Sequence, residues 1–233
     1  MRKVISCIDC EVSECMVKKF CNSEWVEKIS EGKQTVFYKS GQHIVYENNP
    51  VMGLYFIQSG KAKIFSTGIY GKTQVVRLTK ASDIIGHRGF GGELYPIGAV
   101  AVENSYICFV DNDFIYKAFM ANPKFTFGLM MYYSKELRNS EAKIKNLAQM
   151  NVKEKVVDAI LYADSVFNED NNSKVITLNR KDLADLSGIN AAQLSRILSE
   201  LKSENLLRVE INEVEILNSE EMQAIVDPFY KTY

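Results

Sequence analysis

Residues 179–203, NRKDLADLSGINAAQLSRILSELKS, constrain the fold more than any other part of the chain. Asn179 is a good N-cap for a helix over 180–187, with Asp182 near the positive end of its dipole. Leu183, Ala184 and Leu186 form a small apolar face on that helix. Gly188 stops it, because a helix C-terminus often needs a left-handed residue that glycine adopts cheaply. Ile189 can plug the gap, and Asn190 then caps a second helix. On that helix Leu194, Ile197, Leu198 and Leu201 recur at helical spacing, while Gln193, Ser195, Arg196 and Lys202 fall on the opposite face. Two short helices, a tight turn, a buried seam and an open polar face predict a helix-turn-helix.

Composition limits what surrounds this motif. With 233 residues, 46% of them hydrophobic and 24% charged, the chain can bury a core and is not expected to be disordered. A net charge of −1 gives no overall basic footprint, so nucleic-acid binding would have to rest on local charge. Arg180, Lys181, Arg196 and Lys202 stand against Asp182, Asp185 and Glu200, a small excess. No apolar run is long enough to span a bilayer, and Met1 to Cys15 is polar and does not read as a leader, so a cytoplasmic protein without membrane contact is expected. Cysteines in that compartment are expected to be thiols or ligands rather than disulfides.

Between Lys33 and Asp113 the signals are those of strands and turns. VFYKSGQHIVYE alternates around Ser40-Gly41, and GLYFIQSGKAKIFS around Ser59-Gly60. Short strands at regular spacing predict a small antiparallel barrel or a double-sheet, jelly-roll-like β-roll over 33–121, preceded by a cysteine-bearing arm over 1–32. A long helix over 122–150 follows. Its Met130, Tyr133, Leu137, Ser140, Ile144 and Leu147 alternate in steps of three and four, which favours a seam between two copies of the chain over a helix packed on its own domain. The last part, 151–233, begins with an amphipathic helix over Val152 to Phe167. The polar loop NEDNNS and the strand KVITL lead from it into the helix-turn-helix. LLRVEINEVEILN then alternates as a wing would, and a short tail is anchored by Met222, Ile225 and Phe229. The fold class expected is α+β: β-roll, dimerisation helix, winged helix-turn-helix.

No enzyme is expected. His43 and His87 are the only histidines, no nucleophile has a paired base, and GFGG at 89–92 is not followed by Lys-Ser or Lys-Thr. Cys7, Cys10, Cys15 and Cys21, spaced C-x2-C-x4-C-x5-C, are more suggestive. Four soft thiolates can hold an iron–sulfur cluster or a zinc ion; redox-active thiols and uncommitted thiols are the other readings.

The order of parts resembles the Crp/Fnr family of bacterial transcription regulators. The most specific pieces are GLYFIQSGKAKIF, DIIG at 83–86 and RKDLADLSGINAAQLSRILSELKSENLL, and the resemblance runs from about Gln34 to Leu217. It implies a homodimeric, DNA-binding regulator on a near-palindromic operator, in contact with RNA polymerase if it activates. It places Asn179 and Arg180 on phosphate, and Asn190, Ala191, Ala192, Gln193, Ser195, Arg196 and Lys202 at the DNA face. Arg196 matches the family's guanine-reading arginine, but Ala192 replaces its glutamate, so the operator should differ from the common half-site. Where cyclic-AMP members carry Gly-Glu and Arg-Ser, this chain has Gly86-His87 and Ile97-Gly98, so cyclic AMP is not expected. Gly86, His87 and Arg88 are candidates for another anionic effector. Cys108 matches the roll cysteine that oxygen-sensing members use as a ligand, although the arm's spacing differs from theirs. The rival function is a dimeric ligand-binding module without sequence-specific DNA binding, which the weak local charge and Ala192 would favour.

Overall fold

The computed structural model describes residues 5–168 and 175–230. Most of the NEDNNS loop therefore lies outside the described residues. The chain forms two compact units, one of 1–67 with 79–138, the other of 68–78 with 139–233.

In the first unit two short helices, α1 (Met16–Phe20) and α2 (Ser23–Gly32), precede the strands. Asn22 caps α2 by accepting the Trp25 N–H, and its own N–H donates to Asn122 Oδ1 at 3.0 Å. The strands are β1 (Gln34–Tyr38), β2 (His43–Val45), β3 (Gly53–Ser59), β4 (Ala62–Thr67), β5 (Thr73–Thr79), β6 (Ile84–Ile85), β7 (Gly98–Ala101) and β8 (Ser105–Asp111). One antiparallel sheet has the order β1-β8-β3-β6. In another, β7 pairs with β2 on one side and β4 on the other. The register sets Cys108 opposite both Thr35 and Phe56, at the centre of the first sheet.

Helix α3 (Asn112–Ala121) is capped by Asp111, and α4 (Pro123–Gln149) follows it. The arm is not a free appendage. Cys7, Met16, Val17 and Ile29 are buried in one cluster with Phe56, Cys108, Ile115 and Phe125. Burial of such side chains stabilises by roughly 1.5–3 kcal/mol each, enough to hold a short arm in place. Gly128 of α4 admits the arm's Phe20: a Cβ there would lie 2.7 Å from the ring.

The second unit contains most of β5 and the C-terminal end of α4. Next come α5 (Val152–Phe167), β9 (Val175–Thr177), α6 (Arg180–Ser187), α7 (Ala191–Ser203), β10 (Leu207–Val209), β11 (Glu213–Ile216) and α8 (Ser219–Val226). Asn151 and Glu154 form a capping box at the start of α5. Its buried face, Val156, Val157 and Ile160, packs in this unit's core with Leu186, Leu194 and Ile197. The wing is a three-stranded antiparallel sheet, β10-β11-β9, so Val175–Thr177 joins the hairpin as its third strand.

Candidate nucleic-acid interface and cysteine pocket

The helix-turn-helix is built by local devices. Asn179 Oδ1 accepts the Asp182 N–H at 2.8 Å, and its Nδ2 donates to the Asp182 carboxylate at 2.9 Å. Gly188 adopts φ 68°, the left-handed conformation that ends α6. Asn190 and Gln193 form a capping box that starts α7. Leu194, Ile197, Leu198 and Leu201 are buried, so Ala191, Ala192, Ser195, Arg196 and Lys202 are exposed on the other face. Asn179, Arg180 and Asn190 are exposed as well, whereas Gln193 is half-buried. The Arg196 side chain is 66% exposed and stands 3.7 Å from Glu200. Such an exposed i,i+4 pair is worth little, so the guanidinium can be drawn away at small cost. Glu200 also pairs with Lys153 at 3.0 Å.

The six seam positions on α4 do not share one environment. Met130, Leu137 and Ile144, seven residues apart, are 55%, 61% and 69% exposed. Tyr133 packs on the first unit's core and its hydroxyl donates to the His87 carbonyl. Leu147 is half-buried and lies within van der Waals reach of the site where a Gly188 Cβ would stand. Ser140 is half-buried.

Gly86 takes a left-handed φ of 87° and turns His87 inward. The imidazole is fully buried, edge-on to the rings of Tyr132 and Tyr133 at 5.2 Å each. Arg88 stands 3.6 Å from Glu136 of α4. These three residues thus tie the roll to α4 within the first unit, and the Arg88 charge is already balanced.

The cysteines part into two groups. All five are free thiols. Cys7, Cys10 and Cys15 of the arm and Cys108 of β8 line one pocket, together with Lys18, Lys33, Phe56, Gln58 and Val110; Cys21 is not on its wall. Backbone contacts shape this rim: the Cys7 N–H donates to Ser30 Oγ at 2.8 Å, and Lys18 Nζ donates to the Cys10 carbonyl at 2.6 Å. Cys108 Sγ lies 3.5 Å from Thr35 Oγ1. Burial pushes the Cys15 and Cys108 thiols up, and Cys21 up to about 12. Without a metal they are therefore protonated near neutral pH, and a metal group in the pocket would displace the protons of Cys15 and Cys108. Among the described residues no three His, Cys, Asp or Glu side chains form a ready single-ion site. Tetrahedral zinc would need its sulfurs roughly 3.8 Å apart, given a Zn–S length of about 2.3 Å. Four thiols on one wall are a donor set that soft metals take, iron–sulfur clusters among them.

Sequence reasoning grouped the cysteines by spacing and therefore could not separate Cys21 from the others. It also passed over Lys33, whose burial had no local signal.

Residues 35–122 match the cyclic nucleotide-binding domain family, and residues 154–225 the Crp-like helix-turn-helix domain family. The Fumarate and nitrate reduction regulatory protein of Vibrio cholerae is 23% identical over 227 residues, spanning 95% of this chain and 90% of that protein. The Anaerobic regulatory protein of Pasteurella multocida is 24% identical over 212 residues, 88% of this chain and 77% of that protein. Among solved structures, FixK2 from Bradyrhizobium japonicum superposes with a TM-score of 0.74 at 19% identity, covering 83% of this chain and 96% of that one. No helix among the described residues is long and apolar enough to cross a membrane.

Proposed function

The chain belongs to the Crp/Fnr family and is a DNA-binding transcription regulator, and from that premise we propose that it is a homodimer that couples a redox signal at the cysteine pocket to operator binding. The observation that carries the signal half of this reading is that Cys7, Cys10, Cys15 and Cys108 line one pocket although 92 residues separate Cys15 from Cys108. The donor set fits an iron–sulfur cluster. Bound there, such a group would supply a redox-sensitive tie between the arm and β8. The relatives, one named as an anaerobic regulator and one for fumarate and nitrate reduction, favour oxygen or the lack of it as the signal.

The chain's own residues supply the rest. The arm packs by Phe20 against Gly128 of α4, so its posture bears on the helix that carries Met130, Leu137 and Ile144. That exposed stripe repeats every seven residues and would bury itself against a second copy. Two recognition helices would then address two half-sites, with Arg196 set to read guanine through its two parallel donors. Asn179 lies with its side chain turned to Asp182, which leaves Arg180 as the better phosphate ligand at the start of α6.

The test is DNA binding by protein isolated without oxygen, before and after exposure to air, with iron and sulfide content measured on the same samples. Salt-sensitive binding to a fragment of the cognate genome that changes with iron content supports the reading. Binding that is indifferent to air and to iron removes its signal half.

A further inference from the structure

Lys33 lines the cysteine pocket. It caps the C-terminus of α2, where its N–H donates to the Ile29 carbonyl, and the whole residue is only 7% exposed. Its Nζ donates to the Ile5 carbonyl at 3.0 Å. It stands on the pocket wall with the four cysteines. Among the described residues no carboxylate pairs with it. An ammonium taken out of water without an anionic partner is costly, so a fold that buries one usually sets it against negative charge. Here the groups that can become negative are the thiols on the same wall. Lys18, the other lysine there, is half-exposed, and its ammonium is engaged by the Cys10 carbonyl.

We infer that Lys33 is a positioning residue whose buried positive charge balances a thiolate-held anionic cluster and raises its reduction potential, slowing its oxidative loss. The inference rests on the iron–sulfur reading above. Its physics is simple: a fixed positive charge in a poorly solvated pocket favours whichever state of its neighbour holds more electrons. A half-exposed ammonium at the same distance does far less, because water screens it.

The experiment uses the full chain, isolated without oxygen and loaded with ferrous iron and sulfide. It compares the parent with Lys33→Met, Lys33→Arg and Lys18→Met. Iron and sulfide per chain, the reduction potential, and the decay of visible absorbance in air-saturated buffer are read on each, dioxygen being the electron acceptor. Lys33→Met should load, show a more negative potential and lose its absorbance about tenfold faster, while Lys33→Arg and Lys18→Met stay near the parent. Loading by Lys33→Arg but not by Lys33→Met also supports the charge. Equal behaviour of parent and Lys33→Met overturns the inference, as do equal changes in the Arg and Met variants, including failure of both to load. A parent that takes up no iron or sulfide overturns the cluster reading itself and this inference with it.

Discussion

Asn190 and Gln193 hold each other at the start of α7. Asn190 Oδ1 accepts the Gln193 N–H at 2.9 Å, and Gln193 Oε1 accepts the Asn190 N–H at 3.2 Å. Both side-chain oxygens are thereby committed to the helix rather than to a ligand. That concentrates the candidates for base reading on Arg196, whose side chain is exposed and only weakly paired.

Arg196→Lys keeps the charge and loses the fork. It should cost about 1–3 kcal/mol on the specific operator and leave binding to random DNA and its salt slope nearly unchanged. Fluorescence anisotropy on both DNAs at several salt concentrations checks this. Equal losses on the two would assign Arg196 to phosphate.

Ile144→Asp should shift the chain from dimer to monomer in sedimentation. Ile144 and Leu137 are 69% and 61% exposed in a single chain, and covering each would gain roughly 1.5–3 kcal/mol per side chain. An aspartate in that seam would be an unpaired charge. Tyr133→Ala should instead lower the unfolding midpoint of the first unit, since that ring packs on its own core.

Cys21→Ser should retain the iron and sulfide of the parent, whereas Cys108→Ser should lose most of both. The contrast follows from the pocket wall, which includes Cys108 and not Cys21. Metal analysis after anaerobic isolation decides it. Iron loss in Cys21→Ser with retention in Cys108→Ser would mean that the arm binds its group alone.

Lys143 makes the second unit's stability depend on pH. Its ammonium donates to the carbonyls of Val75 and Val76, lies over the Tyr162 ring at 5.7 Å and faces Asp158. Burial pulls its pKa down to about 8, against the attraction of Asp158. Between about pH 8 and 10.4 the unfolded chain therefore keeps a proton that the folded chain has released, and stability rises with pH across that window. Relative to Lys143→Met, the parent should gain up to roughly 3 kcal/mol over this range. Denaturant unfolding of both proteins at several pH values measures the difference, and parallel profiles would place the titration elsewhere.

How much of this was legible in the sequence depends on the range of the forces involved. The helix-turn-helix could be read residue by residue, because caps, the Gly188 stop and the Leu194-Ile197-Leu198-Leu201 spacing act within one or two helical turns. The roll was legible for the same reason, as alternation around Gly-bearing turns. The stripe on α4 was legible only as a period: Tyr133 and Leu147 obey it, yet they pack within their own units, because neighbouring elements reach that side of the helix. The cysteine pocket belongs to tertiary structure entirely. Spacing groups Cys21 with Cys7, Cys10 and Cys15, but the sheet register carries Cys108 beneath the arm, and the turn of α1 takes Cys21 off the pocket wall. Lys33 reads as an ordinary charged residue after a helix, and only the closing of the arm over β8 removes it from water. Local patterning determined the elements and the exposed polar face of α7, because those interactions are between near neighbours in the chain. Long-range packing decided which thiols meet and which charge is buried among them, because those meetings depend on strands and helices distant in sequence.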